Sequence, residues 1–186
     1  MQVLEQEVGT LYEDHSGALL RFARASAGND ESAREGVQEA FMRYFIERSY
    51  GREIRNPKAW LFEVTRNYLT DRVTTQAAQR EVAEEGIENI ADITESPDLR
   101  VGAMQAAQLL AVWLSLRELE CLRLRTCGMS YEEIGDVMQV RIGTVGALLA
   151  RAYGKIRKFA ESGVCERTIA AAVFYLIEEM PACPRA

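Results

Sequence analysis

Ser130-Tyr131-Glu132-Glu133-Ile134-Gly135-Asp136-Val137-Met138, then Gln139-Val140-Arg141, then a run from Ile142 to Ala160, is the stretch that decides the fold. Ser130 followed three residues later by Glu133 is a capping box, each side chain taking the other's backbone N–H. It starts a short helix over 131–138. Gln139-Val140-Arg141 leaves room only for a tight turn, and a longer helix follows over 142–160. A short capped helix, a three-residue turn and a longer basic helix spell helix-turn-helix.

The longer helix has two faces. Ile142, Val145, Leu149, Ala152, Ile156 and Phe159 repeat at spacings of three and four, which predicts one buried face. Thr144, Arg151, Lys155 and Lys158 share the opposite face, with Ala147 filling the gap and Arg141 leading in. Residues 141–160 carry five basic residues and no acid. On an isolated helix such a face is most simply solvated surface. Behind a capped helix and a tight turn it suits the phosphates and base edges of a major groove.

The rest of the chain carries the same helical period and no sustained alternation of period two, so the expected fold is all-α. Further helices are expected near 104–114 and 116–127, with Gly128 placed as a C-cap residue. Another is expected near 166–180, where Ile169, Val173, Leu176, Ile177 and Met180 make an amphipathic stripe. It either packs on its own domain or offers a regulator a docking surface. Near the N-terminus, Leu11, Tyr12, Leu19, Leu20, Phe22 and Ala23 predict a helix ending near Gly28. Asn29-Asp30 caps a second, with Val37, Ala40, Phe41, Tyr44 and Phe45 as its apolar stripe and Glu31, Glu35, Glu39 and Met42 opposite. A polar loop over 48–56 follows, and Pro57 opens a third helix. Its buried stripe is Leu61, Val64, Thr65, Tyr68 and Leu69, with Trp60 off-centre beside Asn67 and Asp71.

Charge separates the two helical groups. The chain's 186 residues carry a formal charge of −6. Residues 81–100 hold seven acids against Arg100, a net of −6, so the remainder is neutral and the acidic pI excludes no polyanionic partner. That stretch also contains Gly86 and Ser96-Pro97. The expected organisation is two small helical domains, 1–76 and 101–165, joined by an acidic linker over 77–100 and followed by an amphipathic extension over 166–186.

Composition and motif searches exclude several function classes. With 48% hydrophobic and 27% charged residues, wholesale disorder is out. No run approaches the roughly 18 apolar residues of a membrane span, and Met1 does not open onto a basic stretch and an apolar core. Cys121, Cys127, Cys165 and Cys183 form no CxxC pair, so reduced thiols in a cytoplasmic setting are expected. His15 is the lone histidine and lacks a neighbouring nucleophile and carboxylate. No glycine-rich phosphate loop or paired-carboxylate motif stands out. The expectation is a non-enzymatic protein with no cofactor and no metal.

At this point the residues resemble a known family, the bacterial RNA polymerase sigma factors of the extracytoplasmic-function (ECF) group. The likeness covers about residues 8–160. Leu11 through Ala23, Val37 through Phe41, Pro57-Lys58-Ala59-Trp60-Leu61-Phe62 and Arg66 through Arg72 look like the family's region two. Leu116 through Leu124, Gly128 through Gly135, Gly143-Thr144-Val145 and Arg151-Ala152 look like region four. The resemblance implies a dissociable initiation factor that binds core polymerase, reads the minus-ten and minus-thirty-five elements and promotes opening.

Residue roles follow from that resemblance. Glu35, Gln38, Glu39 and Arg43 would meet the clamp helices of the polymerase largest subunit. Arg52, Arg55, Asn56, Lys58, Trp60, Arg66 and Asn67 would capture the melted minus-ten strand, through flipped and stacked bases and backbone phosphates. Arg141, Thr144, Ala147, Arg151, Lys155 and Lys158 would read the minus-thirty-five duplex, while the other surface of that domain rests on the polymerase flap. The acidic linker would run through the enzyme's nucleic-acid channels, its charge imitating a transcript. An anti-sigma regulator is an expected partner; a membrane is not. The alternative is a helix-turn-helix regulator that is no sigma factor, a reading that leaves residues 1–76 unexplained.

The chain departs from the family pattern in places. Gly146 and Leu148 stand where a lysine and an arginine are usual, Gln139 replaces the turn glycine, and Arg141 replaces a small cap residue. After Asp71-Arg72 the usual arginine run is replaced by Val73-Thr74-Thr75-Gln76. Fewer phosphate contacts predict weaker intrinsic DNA affinity and a shallower salt dependence.

Overall fold

The computed structural model describes the backbone of residues 2–27, 29–80, 97–161 and 166–179, and the side chains of 2–27, 29–72, 102–161 and 167–177. The acidic run over 81–96, Met180, Cys165 and Cys183 lie outside the described residues. Among the described residues every regular element is helical: α1 (Gln2–Ala27), α2 (Asp30–Ser49), α3 (Pro57–Arg80), α4 (Pro97–Trp113), α5 (Leu116–Thr126), α6 (Tyr131–Met138), α7 (Ile142–Ala160), α8 (Glu166–Phe174) and a π-helical segment (Tyr175–Glu179). The end of α3 and the start of α4 fall inside the stretch 77–100.

Helices α1, α2 and α3 pack as a bundle. Asn29 caps α2 by accepting the Ser32 N–H at 2.7 Å, and Asp30 in the first turn pairs with Arg24 and Arg34. Leu19, Phe22 and Ala23 meet Val37, Ala40, Phe41 and Tyr44 from α2 and Leu61, Thr65 and Leu69 from α3, all buried. Phe62, outside the expected stripe, is fully buried, its ring 5.4 Å from that of Phe22. Val64 and Tyr68, inside that stripe, are only half-buried because they sit at its edge. Gly36 lets α2 approach α3, since a Cβ there would stand 3.2 Å from the Tyr68 ring. The Glu7 carboxylate ties α1 to the end of α2, accepting from the Tyr44 hydroxyl at 2.7 Å and from Arg48 at 2.9 and 3.1 Å.

The second body is built on two capping boxes. Ser130 and Glu133 form the expected one at α6, and Ser115 and Glu118 form another at α5. Gln139 ends α6 in the left-handed region (φ 55°), the conformation for which a glycine would be the unstrained choice. Arg141 precedes α7 without any side-chain cap bond, as a long cation in place of a short acceptor dictates. Val145, Leu149, Ala152 and Phe159 are buried as expected. Ile142 is exposed, because a first-turn position overhangs the turn, and Ile156 is half-buried. Leu148 is buried too, so the residue standing where the family favours arginine has joined the core.

Helix α8 lies along α4, and the π-helical segment packs against α1, α4 and α5. Ile169, Ala172, Tyr175, Leu176 and Ile177 are buried there. The Leu176 carbonyl accepts from buried Arg123 at 3.0 Å. Of the expected stripe Ile169, Leu176 and Ile177 are therefore core and Val173 is half-buried, and the π-helical segment touches both helical bodies.

Candidate nucleic-acid interface

The six duplex-reading candidates lie along one side of α7 and its lead-in. Arg141, Thr144, Ala147, Arg151 and Lys158 are exposed, and Lys155 is partly covered. The cause is Glu118, a residue the sequence reading assigned no role. Its carboxylate is buried, accepts the Ser115 N–H at 2.8 Å and the Lys155 ammonium at 2.7 Å, and stands 3.4 Å from Arg151. Burial alone would raise its pKa; the hydrogen bonds from Lys155 and Ser115 outweigh that and hold it below the ordinary value. The spacing Ser115-x-x-Glu118 carried the signal for the cap. The pairing with α7 had no local signal, because it spans 37 residues.

The strand-capture candidates are less uniform. Arg52 and Arg55 are exposed in the loop before α3. Arg52 pairs with Glu47 at 2.5 Å, and its carbonyl accepts from Arg48 at 3.0 Å, which pins the loop to the end of α2. Asn56 caps α3 through the Ala59 N–H at 3.1 Å, so its side chain already has a structural partner. Trp60 is half-buried with its ring edge on Tyr44, centroids 5.7 Å apart. Asn67 is exposed.

Lys58 and Arg66 are engaged by the second body. The Lys58 ammonium donates to the Gly128 carbonyl at 3.0 Å and stands 3.7 Å from Glu133. Arg66 pairs with Glu120 at 2.5 Å. Gln139 reaches Glu63 on α3 at 2.9 Å, and the Cys127 thiol reaches the Ala18 carbonyl at 3.5 Å. Between the bodies lies an open groove of about 1340 Å³, with Arg52, Arg55, Asn56 and Trp60 on one wall and Glu132, Asp136, Gln139 and Arg141 on the other.

On α2, the polymerase-contact candidates share the outer surface. Gln38 and Arg43 are exposed, and Arg43 pairs with Glu39 at 2.6 Å. Glu35 pairs with Arg72 and accepts from the Tyr68 hydroxyl at 3.5 Å. Exposed Met42 adds an apolar spot to this surface.

Among the described residues no group of three or more metal-ligating side chains gathers, and no helix is long and apolar enough to cross a membrane. His15 is half-buried on α1. Cys121 is buried, and burial pushes its thiol up to about 11, out of the range of a reactive thiolate.

Three likenesses to known proteins fit this geometry. Residues 11–79 match the Sigma-70 region 2 family, covering α1 from Leu11 through nearly all of α3. The chain is 28% identical over 163 residues to the ECF RNA polymerase sigma factor SigE of Mycolicibacterium smegmatis. That alignment covers 80% of this chain and 60% of SigE, so the chain spans less than two thirds of that relative's length. Among solved structures it resembles the sigma factor RpoE of Bartonella quintana, crystallised with the anti-sigma factor NepR. The TM-score is 0.64 at 21% identity, over 88% of this chain and 99% of that one. With a region 2 bundle leading and a helix-turn-helix body following, the chain is similar to the ECF sigma factors in both sequence and fold.

Proposed function

We propose that this protein is a dissociable sigma factor: it binds core RNA polymerase, recognises the two upstream promoter elements and promotes strand opening. The observation that carries the reading is the pairing of a region 2 match over 11–79 with a helix-turn-helix whose α7 leaves Arg141, Thr144, Ala147, Arg151 and Lys158 exposed on one side. A stand-alone helix-turn-helix regulator has no use for the first body.

In this proposal residues 1–76 form the region-two-like domain and 101–165 the region-four-like domain. The stretch 77–100 connects them, and 166–186 is a C-terminal amphipathic extension. Glu35, Gln38, Glu39 and Arg43 meet the clamp helices. Arg52, Arg55, Asn56, Lys58, Trp60, Arg66 and Asn67 serve the melted minus-ten strand, and the α7 residues serve the minus-thirty-five duplex. The chain supplies no bond-making step; two linked binding events on one promoter supply selectivity and stabilise the open strand. An anti-sigma protein is a further proposed partner. The setting is cytoplasmic, where polymerase and promoter are.

The test is transcription by purified core polymerase on a genomic fragment library, with and without the chain, sequencing transcript starts. A new set of starts sharing one pair of upstream motifs is expected. If the chain adds no starts, the proposal is wrong.

A further inference from the structure

The head of α7 is chemically unlike its shank. Residues 142–150, about two and a half turns, are the part that a helix-turn-helix presents to base edges, and Thr144 is the one polar side chain among them. Val145, Leu148 and Leu149 turn into the core, whereas Thr144, Ala147 and Ala150 are exposed and Ile142 keeps 52% of its surface in water. Cations lie on either side of this head. Arg141 precedes the first turn, and Arg151, Lys155, Arg157 and Lys158 follow on the shank. Two of these stand against the Glu118 carboxylate, Lys155 at 2.7 Å and Arg151 at 3.4 Å.

This composition limits how a base pair can be read. Guanine is picked out by a bidentate arginine or lysine, adenine by asparagine or glutamine, and cytosine by a carboxylate. None of those groups is on the head, and Arg151 just beyond it is drawn toward Glu118. What remains is the thymine C5 methyl, the apolar group that the major groove displays, which is met by an alanine or threonine methyl. The backbone leaves room for that approach: a Cβ built on Gly143 would have nothing within 4 Å of it. Side chains this short touch a base only if the helix sits deep in the groove.

We infer that the head of α7 reads its duplex by apolar contact with thymine methyl groups, through Ile142, Thr144, Ala147 and Ala150, while Arg141 and the basic shank hold phosphates. The inference rests on the proposed duplex-reading role of α7 and names the base chemistry which that role uses. Thr144, Ala147 and Ala150 fall within about 120° of one another around the helix and span about 9 Å along it. That length matches two to three base-pair steps. Ile142 extends the same apolar surface at the tip. Affinity and selectivity then have separate sources. Phosphate contacts release counterions and depend on salt; methyl contacts release none, so base preference holds as salt rises.

The test uses core polymerase with the full chain, on the promoter that yields most transcript starts in the genomic fragment library. Each thymine of its minus-thirty-five element is replaced in turn by deoxyuridine, which keeps the pairing edge and the O4 acceptor and lacks only the methyl. Filter binding at two salt concentrations reads complex formation. At one or more positions the loss is expected to be about fourfold, the worth of one buried methyl group, and equal at both salts. Ile142→Ala, Thr144→Ser, Ala147→Gly and Ala150→Gly then trim the protein side of the contact. Thymine and deoxyuridine are compared within each variant, which cancels any loss of helix stability, and at least one variant is expected to bind both duplexes equally. An element without thymine, or deoxyuridine bound as well as thymine throughout, overturns the inference. So does a penalty that persists unchanged in all four variants, as it would if the methyls acted only through duplex shape. In each of these cases promoter complexes still form and the sigma-factor reading stands. Absence of any promoter complex overturns that reading, and the inference with it.

Discussion

The carboxylate of Glu118, buried at the start of α5, takes the ammonium of Lys155 from the opposite end of the helix-turn-helix at 2.7 Å. One side chain thereby caps a helix, ties α5 to α7, and occupies a cation of the proposed duplex-reading set. Glu118→Ala removes the cap and leaves Lys155 without its partner, and is expected to cost about 2 kcal/mol of stability. Glu118→Gln still accepts the Ser115 N–H and should cost about half as much. Urea unfolding midpoints of the two variants check the order.

Acid should weaken the fold through identifiable groups. Glu7 lies below its ordinary value of 4.5 because Arg48 and Tyr44 donate hydrogen bonds to it. Glu133 is also lowered: burial would raise it, but hydrogen bonds from Ser130 and the charge of Lys58 prevail. A carboxylate with a depressed folded pKa contributes stability that is full above its unfolded value and is lost as pH falls through the folded one. Stability should therefore hold from neutral pH down to about pH 5 and fall steadily below it. Glu7→Gln should be less stable than the parent near neutrality and show a shallower decline in acid. Denaturant titrations across that range measure both.

The turn of the helix-turn-helix tolerates little bulk on one side. A Cβ on Gly135 would stand 2.9 Å from the Val140 carbonyl oxygen, and the Val140 N–H donates to the Gly135 carbonyl at 2.9 Å. Gly135→Ala must therefore move the turn, at an expected cost of about 1–3 kcal/mol. Gly143→Ala, where nothing lies within 4 Å, should be neutral or slightly stabilising. Paired thermal melts of the two variants make the comparison.

Cations of the duplex-reading set should not contribute equally. Arg141→Ala and Lys158→Ala should each lower promoter-complex formation and reduce the salt slope by about 0.9, without changing which promoters are used. Lys155→Ala should have a smaller effect on the slope, because Glu118 already neutralises that ammonium. Thr144 and Ala147 substitutions should shift sequence preference with the slope unchanged. Filter binding of polymerase complexes over a salt series separates the two outcomes.

Helical elements were legible wherever a cap and a period coincided: Asn29 before α2, Pro57 at α3 and Ser130 at α6 all mark real helix starts. Faces were read less well than helices. Phe62 shares the face of Thr65 and Leu69 but was left out of the stripe, and it is fully buried against Phe22 of α1; Leu148 looked like a missing cation and is core. Candidate cations on α7 and α3 could be picked out by residue type. Their actual partners could not, because Glu118 reaches Lys155 on α7 and Glu120 reaches Arg66 on α3 with no repeat or spacing to announce it. The approach of α6 to α3 was equally invisible, since Lys58 and Gly128 are 70 residues apart.

Strand opening is the step that no other reading of this chain provides. It is measured by permanganate reactivity of thymines on a promoter found in the transcription library, with core polymerase, with the chain, and with both. The account predicts reactive thymines just upstream of the start site only when both are present, reduced in the Trp60→Ala and Arg66→Gln variants. Duplex that stays unreactive with both present, although the chain has joined the polymerase, would contradict it.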